Sequence, residues 1–299
     1  MARIGFIGLG RMGNAMSRKL VDAGHEVWAF DINAEAVKMI AASGGRAAAS
    51  AADAASNRDF VVTMLPNGPD VEETLFGAPD VASVMAKDTL YIDMSTIAPD
   101  ATDRIAKRLS DMGIRMIDAP VGGTSEFAER GQLLILAGGD QRDVEAAQPV
   151  FDAVGRETIY CGVSGAGTRT KLVNNYMSTA LNVLTAEVLT FAEVAGLDVM
   201  RTVKILAGTT AGKGFLSGAY DRKIFSGDIS PEFGLALASK DLNLALNYGA
   251  NLNMPLSVGA AASQIYAMSR AEGFGPNDWS AVLETLRLTA SLPGRTLNR

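Results

Sequence analysis

The chain has 299 residues, of which 48% are hydrophobic and 20% charged, a composition typical of globular proteins. A net charge of −6, no basic cluster and 6% aromatic residues argue against a nucleic-acid partner. The single cysteine, Cys161, excludes an intrachain disulfide, and the single histidine, His25, argues against a histidine metal site or a Ser-His-Asp triad. We expect no metal, no membrane partner and a cytoplasmic location, because the sequence offers neither a long apolar run nor a signal peptide.

Short apolar runs alternate with helical stretches in the first half of the chain. Helices are predicted at Met12–Ala23, Ala34–Ala42 and Ala101–Met112. Strands are predicted at Ile4–Ile7, Glu26–Phe30, Phe60–Met64, Leu90–Asp93, Arg115–Asp118, Leu133–Ala137 and Thr158–Cys161. This alternation predicts βαβ units and a mostly parallel sheet, and therefore an α/β fold.

The second half of the chain has only helical patterns. A long helix is predicted from about Ala166 to Ala195, followed by helices at Val199–Ala207, Leu235–Tyr248, Leu256–Glu272 and Trp279–Leu288. The glycine-rich segment Gly162–Gly167 separates the two patterns and is predicted as a hinge. We therefore predict two domains, an α/β domain at 1–163 and an all-α domain at 164–299 that serves the substrate and oligomerisation.

A glycine-rich turn, Gly8-Leu9-Gly10-Arg11-Met12-Gly13, directly follows the first strand and opens a helix. The glycines allow a tight turn, the approach of a pyrophosphate to the backbone, and close packing of helix on strand. Free N–H groups and the helix dipole at the start of this helix favour the binding of phosphates, and Arg11 at the same end of the helix can add a positive charge. Asp31, which ends the second strand, suits the ribose hydroxyls of NAD and would repel the 2′-phosphate of NADP. The pattern predicts a Rossmann domain that binds NAD; the alternative is a glycine turn that binds another nucleotide or none.

Two later strand ends are also expected to reach the cofactor, because ligands bind outside the carboxyl ends of such strands. They are Met64-Leu65-Pro66-Asn67 and Asp93-Met94-Ser95-Thr96. The alternative for Ser95 or Thr96 is capping of the helix after Pro99. The predicted cofactor contacts are Gly8, Gly10, Arg11, Met12, Gly13, Asp31, Leu65 and Thr96.

The predicted long helix carries a polar stripe. At about 100° per residue, Lys171, Asn174, Asn175, Ser178 and Asn182 fall on one face. A solvated face would carry Glu, Lys and Arg, which form helices better than Asn, so the stripe indicates a partly buried, hydrogen-bonded place. A desolvated lysine beside the positive nicotinamide can exchange protons near working pH. We predict Lys171 as the catalytic acid and base, and Asn175 as the residue that holds its amine; the alternative is an ordinary solvated face.

The segment Asp118-Ala119-Pro120-Val121-Gly122-Gly123-Thr124-Ser125 is predicted as an anion-binding loop that follows a strand. Two glycines allow backbone N–H groups to turn inward, and Thr124 adds a hydroxyl donor. We expect Gly122, Gly123 and Thr124 to bind a small anionic substrate. The alternative is a plain glycine turn.

Together these pieces resemble the β-hydroxyacid dehydrogenase (3-hydroxyisobutyrate dehydrogenase) family, and the match runs in order along nearly the whole chain. The resemblance implies a Rossmann domain, an all-α domain, a cleft between them, and a homodimer or homotetramer. It also implies Lys171 as the catalytic residue and Lys240 near the nicotinamide end. It rests on Phe6–Gly13, Met64-Leu65-Pro66, Asp93-Met94-Ser95-Thr96, Asp118-Ala119-Pro120-Val121, Gly165-Ala166-Gly167 with Lys171 and Asn174-Asn175, and Lys240-Asp241-Leu242.

Within the family the chain most resembles the sulfolactaldehyde reductase branch, with one departure. That branch carries Gly-Arg-Thr-Ser in the anion loop, where this chain has Gly122-Gly123-Thr124-Ser125. The missing arginine removes a charge-assisted contact to a sulfonate, so a carboxylate becomes the more plausible acid group. The shared segments are Leu65-Pro66-Asn67-Gly68, Asn174-Asn175-Tyr176-Met177-Ser178, Ala211-Gly212-Lys213-Gly214, Ser226-Gly227-Asp228 and Asp278-Trp279-Ser280-Ala281.

The sequence thus predicts an NAD-dependent enzyme that transfers hydride between NAD and a small 3-hydroxy acid or its semialdehyde. Asn174 and Ser178 are expected to orient the substrate. A sulfolactaldehyde or succinic semialdehyde reductase, a decarboxylating enzyme of the 6-phosphogluconate type, an imine reductase and a catalytically silent NAD-binding protein remain as alternatives.

Overall fold

The computed structural model describes residues 1–78, 80–215, 220, 223 and 226–291. Contacts divide the chain into two compact units, Met1–Met177 and Ser178–Arg299. This boundary falls inside a long helix, whereas the predicted division at 1–163 and 164–299 falls at the start of that helix. The domain boundary therefore stays a prediction.

The first unit is an α/β structure. Its strands are β1 (Arg3–Ile7), β2 (Glu26–Phe30), β3 (Arg46–Ala47), β4 (Phe60–Thr63), β5 (Leu90–Asp93), β6 (Arg115–Asp118), β7 (Val121–Gly122), β8 (Leu133–Gly138) and β9 (Gly155–Gly162). Its helices are α1 (Arg11–Asp22), α2 (Ala34–Ala42), α3 (Ala51–Ala55), α4 (Gly68–Phe76), α5 (Pro99–Asp111), α6 (Ser125–Glu129), α7 (Gln141–Ala146) and α8 (Gln148–Val154). The seven longer strands were all predicted, whereas β3 and β7 are too short to leave an apolar run.

The sheet has the strand order β3-β2-β1-β4-β5-β6-β8-β7, and β9 pairs with β8. The pairs from β3 to β6 are all parallel, while β8 runs antiparallel to β6 and β7. The order 3-2-1-4-5-6 is that of a Rossmann domain, so the predicted fold is confirmed. The chain reverses its direction of travel across the sheet between β1 and β4, and ligands of such sheets bind at that crevice.

Apolar side chains cover both faces of the sheet, because neighbouring residues of a strand point to opposite sides. Ile4, Phe6 and Val62 belong to one buried cluster, whereas Ile7 and Val61 belong to the other. All five are at most 3% exposed. Burial of each such side chain contributes about 1.5–3 kcal/mol, which fixes the sheet as a rigid base for the loops at its edge.

The second unit is helical in the part that the structure describes, as predicted. Among its described residues, Gly234 and Asp278 form an isolated antiparallel bridge. None of the described helices is both long enough and apolar enough to span a bilayer. The helices are α9 (Ala166–Val194), which begins in the first unit, α10 (Val199–Gly208), α11 (Thr210–Lys213), α12 (Leu235–Asn251), α13 (Ser257–Ala271) and α14 (Val282–Thr289).

Candidate active site

The glycine-rich turn joins the end of β1 to the start of α1. Gly8 has φ +97°, and a Cβ on it would overlap the carbonyl oxygen of Met64. A Cβ on Gly13 would overlap the carbonyl oxygen of Gly8. A Cβ on Gly10 would meet no described atom within 4 Å, so the space beside this backbone is open. Glycine is thus required by packing at two positions, and the third leaves room for a diphosphate at a helix N terminus.

The Asp31 carboxylate holds this turn in place. Its Oδ2 accepts a hydrogen bond from Leu9 N at 2.6 Å, and its Oδ1 accepts one from Asn33 N at 2.7 Å. Asp31 is half-buried. Each carboxylate oxygen retains a second lone pair, so the group can also accept the hydroxyls of a ribose.

A cavity of about 590 Å³ opens at the crevice between β1 and β4. Its size falls in the range typical of small-molecule and cofactor sites. Two carboxylates of α4, Asp70 and Glu73, line it and were not expected from the sequence. The lining residues are Ile7, Gly8, Gly10, Met12, Gly13, Phe30, Asp31, Ile32, Ala51, Met64, Leu65, Pro66, Asp70, Glu73 and Thr74. The cavity therefore brings together Gly8, Gly10, Met12, Gly13, Asp31 and Leu65 of the predicted cofactor residues, whereas Arg11 and Thr96 are not part of its lining.

Four strands end in one register-matched row. Ile7 is paired with Thr63, Thr63 with Asp93, and Asp93 with Asp118. Because all four strands are parallel, these residues share the carboxyl edge of the sheet. Two buried carboxylates, Asp93 and Asp118, each 1% exposed, therefore stand on the edge that carries the glycine turn.

A buried polar network ties β5 to the loop after β4. Tyr91 OH lies 2.6 Å from Thr63 Oγ1, which donates to Asp93 Oδ1 at 3.0 Å. The same Asp93 oxygen accepts from Ser95 N at 3.0 Å, and Ser95 Oγ accepts from Leu65 N at 2.9 Å. Burial raises the pKa of Asp93. The network fixes Leu65 at the wall of the cavity.

Ser95 therefore does not cap the following helix, which was the alternative from the sequence. Helix α5 begins at Pro99, and its N-cap residue is Ala98. Thr96, the predicted cofactor contact, is exposed just beyond the strand end. Sequence reasoning singled out Thr96 and missed the supporting roles of Thr63 and Asp93, whose polar side chains in an otherwise apolar strand end were the available signal.

Two members of the polar stripe of α9 are partly withdrawn from water, whereas Asn174, Ser178 and Asn182 are exposed. Lys171 and Asn175 are half-buried, whereas Val173 is 72% and Tyr176 78% exposed. Asn174 Nδ2 donates to Asn175 Oδ1 at 3.3 Å. Burial lowers the pKa of Lys171, as expected for an amine that is partly withdrawn from water.

The predicted anion loop is only partly a loop. Gly122 lies in the short strand β7, where it pairs with Leu134 of β8. Gly123 has φ +126°, and a Cβ there would lie 3.1 Å from both Leu133 Cδ2 and Phe127 Cβ. Thr124 is exposed and is the N-cap residue of α6. The backbone is shaped for glycine at 123, so an arginine there would require the loop to move.

Three further predicted residues are exposed. Arg11 is exposed at the start of α1, and Ser178 is exposed on α9 at the beginning of the second unit. Lys240 is exposed on α12, within the second unit. Among the described residues, no group of three or more His, Cys, Asp or Glu side chains is arranged to hold a metal ion.

The strand order, the glycine turn and the carboxylate at the end of β2 are the features of a dinucleotide-binding protein. Residues 3–162 match the model of the NAD binding domain of 6-phosphogluconate dehydrogenase. Residues 165–286 match the model described as NAD-binding of NADP-dependent 3-hydroxyisobutyrate dehydrogenase.

Three known proteins are similar over nearly the full chain. The 3-sulfolactaldehyde reductase of Escherichia coli (strain K12) is 45% identical over 295 residues, 99% of each chain. The 2-(hydroxymethyl)glutarate dehydrogenase of Eubacterium barkeri is 36% identical over 283 residues, 94% of each chain. A solved structure of Mycobacterium tuberculosis 3-hydroxyisobutyrate dehydrogenase with L-serine is 33% identical, with a TM-score of 0.67 over 96% of this chain and 99% of that one.

The chain belongs to the β-hydroxyacid dehydrogenase family, near the branch of the sulfolactaldehyde reductase. It is an oxidoreductase that uses a nicotinamide dinucleotide. The family resemblance predicted from the motifs is confirmed.

Proposed function

We propose that the chain is an NAD-dependent enzyme that interconverts a small 3-hydroxy acid and its semialdehyde. The observation that carries this proposal is the half-buried Lys171 with its lowered pKa, on a helix that starts in the unit containing the nucleotide cavity. An amine whose charged form is disfavoured can both accept and return a proton near neutral to alkaline pH.

In this proposal the bound nicotinamide supplies the hydride acceptor or donor. Lys171 Nζ, when neutral, takes the proton of the substrate hydroxyl during oxidation; as an ammonium it returns a proton to the carbonyl oxygen during reduction. Asn175, one turn further on, holds the amine. Gly122, Gly123 and Thr124 bind the acid group, Asn174 and Ser178 orient the substrate, and Lys240 contacts the nicotinamide end of the cofactor.

We assign NAD rather than NADP because Asp31 lines the cavity with a carboxylate that already holds the turn through Leu9 N. A 2′-phosphate on the ribose would meet this negative charge. The second matching family model is described from an NADP-dependent enzyme, so both cofactors belong in the binding assay.

For the acid group, a carboxylate is the first choice. Residue 123 is a glycine at φ +126°, a conformation that disfavours a side chain, and the loop therefore offers no guanidinium to bind a sulfonate. The second candidate is 3-sulfolactaldehyde reduction, which the 45% identity to the Escherichia coli enzyme favours.

We also infer a homodimer or homotetramer. Large apolar side chains of α9 and α10 are exposed in the single chain, among them Val173, Met200 and Ile205 at 72%, 74% and 59%. Exposed apolar surface of this kind marks association in water. Light scattering on the purified protein measures the mass directly, and a monomer contradicts the inference.

Replacement of Lys171 by Met tests the proton-transfer role, because Met keeps the length and apolar packing of the side chain without the amine. We expect kcat to fall about 10²- to 10⁴-fold, the usual contribution of general acid–base catalysis, with the Kd of NADH unchanged within about twofold. Lys204→Ala, on the exposed surface of α10, is the matched control and should leave both values unchanged. Turnover retained by Lys171→Met refutes the role.

Substrates are screened through NADH absorbance with 3-hydroxyisobutyrate, tartronate semialdehyde, succinic semialdehyde and sulfolactaldehyde. We expect a higher kcat/KM with a carboxylate substrate than with the sulfonate. A preference for sulfolactaldehyde supports the second candidate, and NADH binding without turnover of any of them supports a silent binding protein.

A further inference from the structure

Helix α9 is capped by a residue from a distant strand. Its N-cap residue, Gly165, has no side chain with which to accept the amide hydrogens of the first turn. Asp118 at the end of β6 does so instead: its Oδ1 accepts from Gly165 N and its Oδ2 accepts from Thr168 N, both at 2.7 Å. These are the N-cap and third-position amides that a local capping box would serve.

The backbone of the helix start also lies directly against the strand ends. A Cβ on Gly167 would overlap the carbonyl oxygen of Leu136, and a Cβ on Gly138 would lie 2.6 Å from Gly167 N. The segment predicted as a hinge is therefore a close packing contact within the first unit. The first turn of α9 cannot shift toward the sheet, because it packs against backbone atoms rather than against flexible side chains.

Asp118 is the central attachment of this first turn. It is 1% exposed, and burial raises the pKa of its carboxyl against the lowering effect of the two amide hydrogen bonds. A carboxylate at a helix N terminus is stabilised by the helix dipole. Two weaker attachments support it: the hydroxyls of Thr168 and Thr102 are 3.2 Å apart, and Arg169 pairs with Asp103 on the surface.

We propose that Asp118 is a positioning residue that fixes the start of α9, and with it Lys171, at the carboxyl edge of the sheet. Lys171 follows Thr168 by three residues, slightly less than one helical turn, or about 4.5 Å along the axis at about 1.5 Å per residue. Asp118 is also followed directly by the segment that leads to Gly122. One carboxylate thus sets the placement of the proton-transferring amine relative to the segment assigned to the acid group. This inference rests on the proposed role of Lys171.

Asp118→Asn removes the charge and leaves one acceptor oxygen for two amides. We expect kcat to fall about 10- to 100-fold, the cost of a misplacement of about 1 Å, while the Kd of NADH measured by fluorescence stays within about twofold. Asp111→Asn, which removes an exposed carboxylate of α5 that pairs with Lys107, is the control and should change neither value. Wild-type kcat in Asp118→Asn overturns the proposal.

The double variant Asp118→Asn/Lys171→Met separates positioning from a general structural role. If Asp118 acts only through Lys171, the double variant is no slower than Lys171→Met alone. A further loss shows that Asp118 acts by another route, such as the anion segment or global stability, and overturns the proposal. Should Lys171→Met itself keep full turnover, the proposed function fails first, and that single variant reveals it.

Amide hydrogen exchange tests the attachment without substrate or cofactor. In Asp118→Asn we expect faster exchange over 165–171 and unchanged exchange in β1 and α1, whereas unchanged exchange over 165–171 overturns the proposal. If Asp118→Asn does not fold, Thr102→Val removes the hydroxyl partner of Thr168 and gives the same pattern on a smaller scale, with kcat about two- to tenfold lower. Unchanged kcat and exchange in Thr102→Val then count against the proposal.

Discussion

Asp31→Asn is the sharpest test of cofactor choice, because the substitution keeps the shape of the side chain and removes its charge. If the 2′-phosphate of NADPH lies roughly 5 Å from the carboxylate, an effective dielectric constant of about 20 gives a repulsion of about 3 kcal/mol per charge pair. Asp31 is only half-buried, so water and salt reduce this to about 1–2 kcal/mol, or about 5- to 30-fold in affinity.

The variant also loses a structural contact. An amide has one acceptor oxygen, whereas the carboxylate accepts from both Leu9 N and Asn33 N. Loss of one such hydrogen bond destabilises the glycine turn by about 1–2 kcal/mol, and we expect the Kd of both NADH and NADPH to rise about tenfold. The ratio of the two dissociation constants isolates the charge effect, because the loosened turn affects NADH and NADPH alike.

The assay is a fluorescence titration of wild type and variant with NADH and NADPH at fixed ionic strength. We expect the ratio Kd(NADPH)/Kd(NADH) to fall about 5- to 30-fold in Asp31→Asn. Glu35→Gln, an exposed carboxylate on the first turn of α2 that pairs with Lys38, is the control and should leave the ratio unchanged. An unchanged ratio in Asp31→Asn, or a wild type that binds NADPH more tightly, refutes the reasoning.

Three further outcomes are expected. Thr63→Val should lower the free energy of unfolding in urea by about 2–4 kcal/mol, because it leaves the hydroxyl of Tyr91 and the carboxylate of Asp93 buried without their shared partner; an unchanged midpoint contradicts this. Gly13→Ala should abolish the binding of NADH, as measured by calorimetry, because the added Cβ would overlap the carbonyl oxygen of Gly8 in the turn. An unchanged affinity for NADH contradicts this. The oxidation kcat should rise with pH with its midpoint below pH 10.5, the usual pKa of a lysine, and the reduction kcat should fall over the same range, because burial lowers the pKa of Lys171 and oxidation needs the neutral amine; identical pH profiles in Lys171→Met would assign the titration to another group.

Most of the α/β architecture could be predicted because its signals are local. The buried parallel strands leave short apolar runs such as Leu90–Ile92, and the glycine-rich turn at Gly8–Gly13 is a local motif that directly follows such a run. Helix α2 was predicted residue for residue, since Asn33 caps it and the apolar spacing is regular.

The supporting contacts of the candidate site could not be predicted in the same way. Asp118 meets the amides of Gly165 and Thr168 across 47 and 50 residues of sequence, and no spacing rule connects them. The strand pairing of Gly122 has the same origin, because a two-residue strand exists only where β8 passes beside it. These contacts depend on which strands become neighbours, which is a property of the sheet rather than of any segment.

The register-matched row at the carboxyl edge has a consequence for how this protein tolerates change. Ile7 and Asp118 stand three interstrand steps apart, about 14 Å at about 4.8 Å per step, and main-chain hydrogen bonds hold that length. The paired strands thus fix the distance between the glycine-rich turn after β1 and Asp118, which holds the start of α9. Surface substitutions leave this spacing unchanged. One inserted residue in β5 would instead shift the register of the strand and turn the Asp93 side chain to the opposite face of the sheet.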